Sequence, residues 1–403
     1  MEIVNRILNK INLSKPKNNF LKLLIPAMIG SIGKRTFRNM ARYVDIEEHR
    51  FARQMDKDID FPNINLEIIR ECKKPDDVVI IAQDSTFIAK AGKKTFGIGC
   101  YWNGTAGRVE KGLEVDLVAA VVMQEGRPTF ALSTKQFAEA ETDQKPVDDA
   151  QSSKINFFLD NLAIVRQQIE LLAAKHVVAD GYFYKRSYVD GVVRMRLDVV
   201  SKLRKDAQLL LLYEGPQKAR GRRREFEKDR VTEEHFLKTP ATRIDDEIEL
   251  RSLVCYSPCL KRKILVVAIF CEGRLGAMLF TTDLTLSAEQ VYNFYTARYQ
   301  IEFVFRDSKS FNGLEDCQAR SQKRLDYHFN ASFLSFNFAK LQDVLEQQEN
   351  KTCRPFSMAS ISRKTSFEIC LNRFFSTLGF DLTSIKSNPR YNDALNFGGI
   401  CHD

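Results

Sequence analysis

Val78-Val79-Ile80-Ile81-Ala82-Gln83-Asp84-Ser85-Thr86 is an almost unbroken apolar run that stops at a carboxylate. Such a run predicts a strand buried on both faces, as in a parallel or mixed sheet covered by helices. A second, shorter run, Val177-Val178-Ala179, also stops at an aspartate, Asp180, and Gly181-Tyr182-Phe183 follows. A carboxylate at the end of a buried strand is costly unless it is paired or bound to a metal. For either aspartate alone, a satisfied cap or turn residue is the plainer explanation. Around these ends the pattern predicts strands over Val78–Thr86, Thr95–Trp102 and Leu113–Met123. A helix follows over Ser152–Lys175, and then the strand that carries Asp180. The order permits an α/β protein with a mixed sheet.

A third acid lies further along, in the pattern Tyr295-x2-Arg298-x3-Glu302-x6-Lys309. Ser287 and Gln290 form a capping-box signature ahead of it. With no proline or glycine before about Ser310, one continuous helix is predicted. At 100° per residue, Tyr295, Arg298, Glu302, Phe305 and Lys309 then share a face roughly 80° wide. Taken alone, Arg298 and Glu302 read as an i,i+4 salt bridge; with the matching spacing and two acidic run ends upstream they read as parts of a site. Asp307, about 140° away on the same helix, is a poor substitute for Glu302. Asp84, Asp180 and Glu302 offer only oxygen ligands, with no His or Cys cluster beside them. That donor set suits Mg²⁺ or Mn²⁺ better than zinc.

These residues resemble a known family. Asp84-Ser85-Thr86, Asp180-Gly181-Tyr182-Phe183 and the Tyr295/Arg298/Glu302/Lys309 spacing are similar to the DDE transposases of the insertion-sequence-4 group. So are Tyr299-Gln300-Ile301-Glu302, Phe305-Arg306-Asp307-Ser308-Lys309 and Gln318-Ala319-Arg320-Ser321. Tyr299 stands where many relatives have tryptophan, a change that keeps an aromatic ring. The resemblance covers about residues 75–345. It implies a ribonuclease H-like mixed-sheet catalytic core with a β-rich insertion at about 195–285, in which Asp84, Asp180 and Glu302 hold two ions of Mg²⁺ (or Mn²⁺). It also implies that Tyr295, Arg298 and Lys309 grip DNA phosphates. The expected reaction is cut-and-paste transposition of double-stranded DNA, from terminal inverted repeats to a target, through a hairpin on the freed ends. A homodimer in a synaptic complex and a bacterial, cytoplasmic, nucleoid-associated setting belong to the same implication.

Composition fits this expectation. The chain has 403 residues, 44% of them hydrophobic, enough for two or three domains with cores of their own. Lys and Arg number 61 against 52 acids, and the excess is uneven. Residues 1–43 hold nine Lys or Arg and one acid, Glu2. Residues 1–72 therefore read as a helical N-terminal DNA-binding domain, with a helical cap on the catalytic domain as the alternative. A second basic cluster, Lys218, Arg220, Arg222, Arg223 and Arg224, reads as a loop able to follow a DNA backbone, or as a solvated loop. Asp326–Glu346 reads as a buried helix with Phe329, Phe333, Phe336 and Leu341 on its apolar side. Residues 346–403, with a helix at Ser366–Leu378, are a candidate dimerisation region.

Other classes lack their signatures. Gly30-Ser31-Ile32-Gly33-Lys34-Arg35 has the wrong glycine spacing for a phosphate loop, and arginine follows its lysine. Nine cysteines show no zinc spacing and read as reduced thiols in an intracellular protein. The apolar stretch Phe20–Ile32 is too short to span a bilayer, so no membrane partner is expected. Two rivals keep the same scaffold: a structure-specific nuclease without strand transfer, and a DNA-binding descendant without catalysis.

Overall fold

The computed structural model describes residues 2–138, 147–204, 206–217, 219–221 and 223–397. The chain divides into two compact units, and β1 (Val79–Ala89) is divided between them. Its residues up to Asp84 count with the second unit and those from Ser85 with the first. The first unit opens with five helices, α1 (Glu2–Asn9), α2 (Lys15–Gly30), α3 (Phe37–Met40), α4 (Glu48–Met55) and α5 (Phe61–Cys72). After β1 come β2 (Gly99–Asn103), β3 (Arg108–Val122) and β4 (Thr129–Phe137). The second unit continues with α6 (Val147–Ile164), α7 (Arg166–Leu171), β5 (His176–Ala179), α8 (Arg186–Arg194) and β6 (Asp198–Lys202). Next are β7 (Leu210–Leu212), β8 (Phe226–Arg230), α9 (Glu233–Leu237) and β9 (Ala241–Arg243). The unit closes with β10 (Ile248–Ser257), β11 (Arg262–Cys271), β12 (Arg274–Thr281) and α10 (Ala288–Ala297). The chain then returns to the first unit with α11 (Gln300–Phe311), α12 (Gln322–Asn350), α13 (Met358–Thr377), α14 (Leu382–Lys386) and α15 (Pro389–Asn396).

In the second unit the inner half of β1 pairs in parallel with β5, and β5 pairs in parallel with β6. Every residue of β5 is buried, which is why the run after His176 is apolar. From β6 the sheet turns antiparallel, in the order β12, β11, β10, β7 and β8, with β9 on β10. The β-rich region expected at about 195–285 is therefore present, but its start needs correction. Asp198–Lys202 is a parallel strand beside β5, and the antiparallel strands run from Leu210 to Thr281. Composition marks strand formers and says nothing about which neighbour they pair with.

The expected helix Ser152–Lys175 is also two helices, interrupted at Val165 (φ −102°, ψ 15°). Its C-terminal end closes at Ala173, in the left-handed region at φ 55°, with Ala174 N donating to Ile169 O at 3.1 Å. That closure usually falls on glycine. An alanine there hides the stop from sequence.

In the first unit β2, β3 and β4 form an antiparallel meander beside the outer half of β1. The expected Thr95–Trp102 strand starts only at Gly99, and the Leu113–Met123 strand reaches back to Arg108. Strand β4 was not expected at all. Its C-terminal half, Ser133-Thr134-Lys135-Gln136, is polar, so the run breaks off early in sequence, yet most of the strand is buried. Asn337 of α12 pairs with its backbone, accepting from Ala131 N at 2.9 Å and donating to Ala131 O at 2.8 Å. Its amide also donates to Asn65 of α5 at 2.9 Å.

At Gly112 of β3 a Cβ would lie 2.4 Å from Ile88 O and 2.5 Å from the Phe87 ring. Backbone cannot give way as a flexible side chain can. Gly112→Ala is expected to destabilise the protein by about 2–3 kcal/mol, read as a lower denaturation midpoint with an unchanged slope.

The N-terminal helices share a core with the rest of the first unit. Helix α5 packs on α12 and β4, and α2 packs on α12 and α13. At Gly30 a Cβ would meet Thr365 and Ile369 of α13 at about 3 Å. Residues 1–72 are thus part of a larger compact unit. Helix α12 buries Phe329, Phe333, Phe336 and Leu341 as expected, and it extends past both predicted ends. Helix α13 covers the expected Ser366–Leu378 helix up to Thr377 and begins earlier, at Met358.

Burial pushes the Asp326 carboxyl on α12 up to about 6, against a backbone hydrogen bond from Gln136. A carboxyl in the unfolded chain titrates near ~3.9. The folded protein therefore holds this proton more tightly. The resulting stability is complete below about pH 4 and is lost as pH rises through about 6. Asp326→Asn should stabilise the fold at pH 8 by about 1–2 kcal/mol after allowance for partial exposure, read as a higher melting temperature, and change stability little at pH 4. The eight described cysteines are free thiols. Among the described residues no helix is long and apolar enough to cross a membrane.

Candidate active site

Gln83 and Ala179 face each other in the parallel β1–β5 pair, so Asp84 and Asp180 occupy the next rung. Neighbouring strands lie about 4.8 Å apart, and both carboxylates therefore emerge at one edge of this pair. Asp84 does not end its strand, as the apolar run suggested. It marks where β5 stops while β1 continues to Ala89. Just beneath, Gln83 is fully buried. It accepts from Tyr188 Oη at 2.7 Å and donates to Phe158 O at 2.9 Å, which fixes β1 against α8 and α6.

Asp180 is held by its own turn. Its Oδ1 accepts from Tyr182 N at 2.9 Å, and its carbonyl accepts from Ser201 Oγ at 2.7 Å. Among the described residues Asp180 Oδ2 has no hydrogen-bond donor. A cation pairs with Asp84. Arg298, 5% exposed, places Nη1 3.1 Å from Asp84 Oδ2. Its guanidinium lies 4.7 Å from the Tyr299 ring centre and 5.7 Å from that of Tyr295. Tyr295 is itself buried, and burial pushes its phenol up to about 12, helped by Tyr299 and Asp180 and opposed by Arg298. It stays protonated at any ordinary pH.

The capping box at the start of α10 is present. Gln290 N donates to Ser287 Oγ at 3.1 Å, and Ser287 N donates to Gln290 Oε1 at 2.9 Å. The single long helix is not. Helix α10 ends at Ala297 and α11 starts at Gln300. The last turn of α10 tightens to i→i−3 bonds, Arg298 N to Tyr295 O at 3.2 Å and Tyr299 N to Thr296 O at 3.3 Å. No glycine or proline marks the break; it falls at the residue whose side chain is drawn to Asp84. The constant angular step that placed five residues on one face therefore does not carry across it. Phe305, expected on that face, is buried and packs edge-on against Phe333 at 6.1 Å.

In the first unit Glu302 is exposed in the opening turn of α11, where the helix dipole favours a carboxylate. Lys309 near the other end donates to Phe87 O at 2.7 Å and lies 3.5 Å from Glu315. Burial holds its ammonium below the usual lysine range, opposed by Glu315. Lys309 thus ties α11 to the outer half of β1. Asp307 is buried and paired with Arg306 at 2.9 Å. The structure brings Asp84, Asp180, Tyr295 and Arg298 together in the second unit, and it sets Glu302 and Lys309 on one helix of the first.

Residues 142–338 match the family model of the transposase DDE domain. The matched span, just under half of the chain, contains Asp180, Tyr295, Arg298, Glu302 and Lys309, while Asp84 lies ahead of it. The match supports a DDE transposase. No curated protein matches the chain.

The cluster of the described residues whose ligand atoms all lie within 4.8 Å of one another is a different one, His176, Asp198 and Asp283. It sits where β5 and β6 begin, away from the strand end that leads to Asp180. His176 Nε2 lies 2.9 Å from Asp283 Oδ2, and Asp198 Oδ1 accepts from Thr282 Oγ1 at 2.7 Å. These residues are far apart in sequence and leave no local signal; His176 pairs with Asp283, and Asp198 with Thr282.

In the basic loop Lys218 and Arg222 lie outside the described residues. Gln217 closes the turn on the backbone of Arg224, whose side chain pairs with Glu227 and lies 4.4 Å from the Tyr213 ring centre. Arg220 and Arg223 are exposed.

Proposed function

We propose that this chain is the transposase of a bacterial-type insertion sequence, cutting double-stranded DNA at the element's terminal inverted repeats and joining the freed ends to target DNA. The observation that carries the reading is the pair Asp84 and Asp180, each one residue beyond the Gln83–Ala179 rung on neighbouring strands, with Asp180 inside the span that matches a transposase domain. Glu302 is the third acid of the set. All-oxygen donors, one of them the unengaged Asp180 Oδ2, fit Mg²⁺ or Mn²⁺. Asp84, Asp180 and Glu302 would hold two such ions, which supply activation of a water or 3′-hydroxyl and stabilisation of the leaving oxygen.

The chain's own residues do the rest. Arg298 pairs with Asp84 and orients it. Protonated Tyr295 offers a hydrogen-bond donor, and Lys309, Arg220, Arg223 and Arg224 supply charge for the DNA backbone, together with Lys218 and Arg222. Residues 1–72 are assigned to DNA-end binding, and residues 346–403 to pairing of two protomers in the synaptic complex.

The test uses a plasmid carrying the gene with its native flanking DNA, incubated with purified protein in Mg²⁺ or Mn²⁺. Excision at discrete flanking repeats with insertion elsewhere establishes the transposase. Cuts without joints replace it with the nuclease, and binding without cuts replaces it with the DNA-binding descendant.

A further inference from the structure

Immediately after Asp180 the second unit gathers cations around one aromatic ring. Tyr182, 36% exposed, stands edge-on to Phe158 and Phe183, with ring centres at 6.2 and 5.4 Å. Lys185 Nζ lies 3.5 Å from the Tyr182 ring centre, and Lys154 of α6 lies 5.6 Å from it. Arg204, just past β6, is a further like charge acting on Lys185. Burial holds the Lys185 ammonium below the usual lysine range, Arg204 and Lys154 depress it further, and Asp180 acts the other way.

Lys185 Nζ is shielded from solvent and has no hydrogen-bond acceptor among the described residues. A shielded ammonium without an acceptor, set among like charges, is costly. Its contact with the Tyr182 face offsets only part of that cost. Lys185 is moreover the N-cap residue of α8, the end of a helix where backbone N–H groups favour an anion. Three cations, a helix N-terminus and an exposed ring converge beside one acid of the candidate site. A phosphodiester satisfies all of them, and the ring can lie against the sugar or base attached to it.

We propose that Lys185, flanked by Lys154 and Arg204, forms a phosphate-binding pocket that seats the DNA backbone beside Asp180. The proposal rests on the DNA transaction proposed above and adds a positioning residue outside the Tyr295/Arg298/Glu302/Lys309 set. One phosphate is gripped here independently of base sequence.

The experiment measures binding by fluorescence anisotropy, without divalent metal, of the full chain to two labelled duplexes. One carries the DNA that flanks the gene, and the other is an unrelated duplex of equal length. Affinity is followed against salt for wild type, Lys185→Met, Lys185→Arg and Lys154→Ala, and melting temperatures are taken on the same samples. Lys185→Met, which keeps the apolar stem over Tyr182, should weaken binding to both duplexes by about five- to tenfold and reduce the salt slope by about one. Lys185→Arg should retain the wild-type slope, and Lys154→Ala should move it in the same direction as Lys185→Met. The melting temperature of Lys185→Met should hold or rise, because a costly charge has gone. A wild-type slope in Lys185→Met, or an equal loss in Lys185→Arg, makes Lys185 a packing residue for Tyr182 and overturns the pocket alone. Failure of the wild-type chain to bind either duplex removes both this pocket and the proposed function.

Discussion

Asp180→Asn and Glu302→Gln should each lower strand cleavage by about 10³-fold or more, equivalent to about 4 kcal/mol at the transition state, while DNA binding without metal stays near wild type. Both changes are nearly isosteric, so the loss is chemical and not one of packing. Asp180 keeps its turn if Asn accepts from Tyr182 N as the carboxylate does. Glu302 is exposed in the first turn of α11, and glutamine keeps its size and shape there. The measurement is the rate of product formation on flanking-repeat DNA across a Mg²⁺ titration, compared with anisotropy on the same duplex. Wild-type cleavage by Glu302→Gln would remove that residue from the site. Wild-type cleavage by Asp180→Asn would remove the paired strand ends as its centre.

The second large effect concerns stability. Arg298→Ala takes the guanidinium away from Asp84 and leaves a part-buried carboxylate beside Asp180 without that counter-charge. It also removes the packing between Tyr295 and Tyr299. Loss of one member of such a pair costs about 3 kcal/mol. Asp84→Asn in the same background should return part of it, since an uncharged side chain no longer needs the partner. A double-mutant cycle by denaturant unfolding measures the coupling, expected at about 1–3 kcal/mol. Mg²⁺ should raise the melting temperature of Arg298→Ala more than that of the double variant, because only the former keeps the full carboxylate pair. Additive single effects would mean that the 3.1 Å contact does not stabilise the fold.

Residues close together in sequence were legible because their signals are local. The Val79–Ala82 and Val177–Ala179 runs declare buried strands, and an aspartate that ends an apolar run stands out against its cost. Ser287 and Gln290 announce a helix start, since a capping box is complete within four residues. The tetrad spacing and the wording around it carried the family resemblance. The 142–338 match supports the transposase reading, while the insertion-sequence-4 group remains part of the proposal.

Tertiary structure alone decided what depends on partners remote in the chain. The rung shared by Asp84 and Asp180 comes from strand pairing across almost a hundred residues, and sequence gives each strand without its neighbour. The break between α10 and α11 has no glycine or proline to announce it, and it falls at the residue that reaches Asp84. Strand β4 hides behind polar residues whose burial is supplied by α5 and α12. Lys185 looks like an ordinary surface lysine in sequence. Only folding places it over Tyr182, shields its ammonium and gives it like charges for neighbours. Backbone propensity and capping act over a few residues and can be read along the chain. Pairing, burial and charge proximity are set by chain segments that meet only in three dimensions.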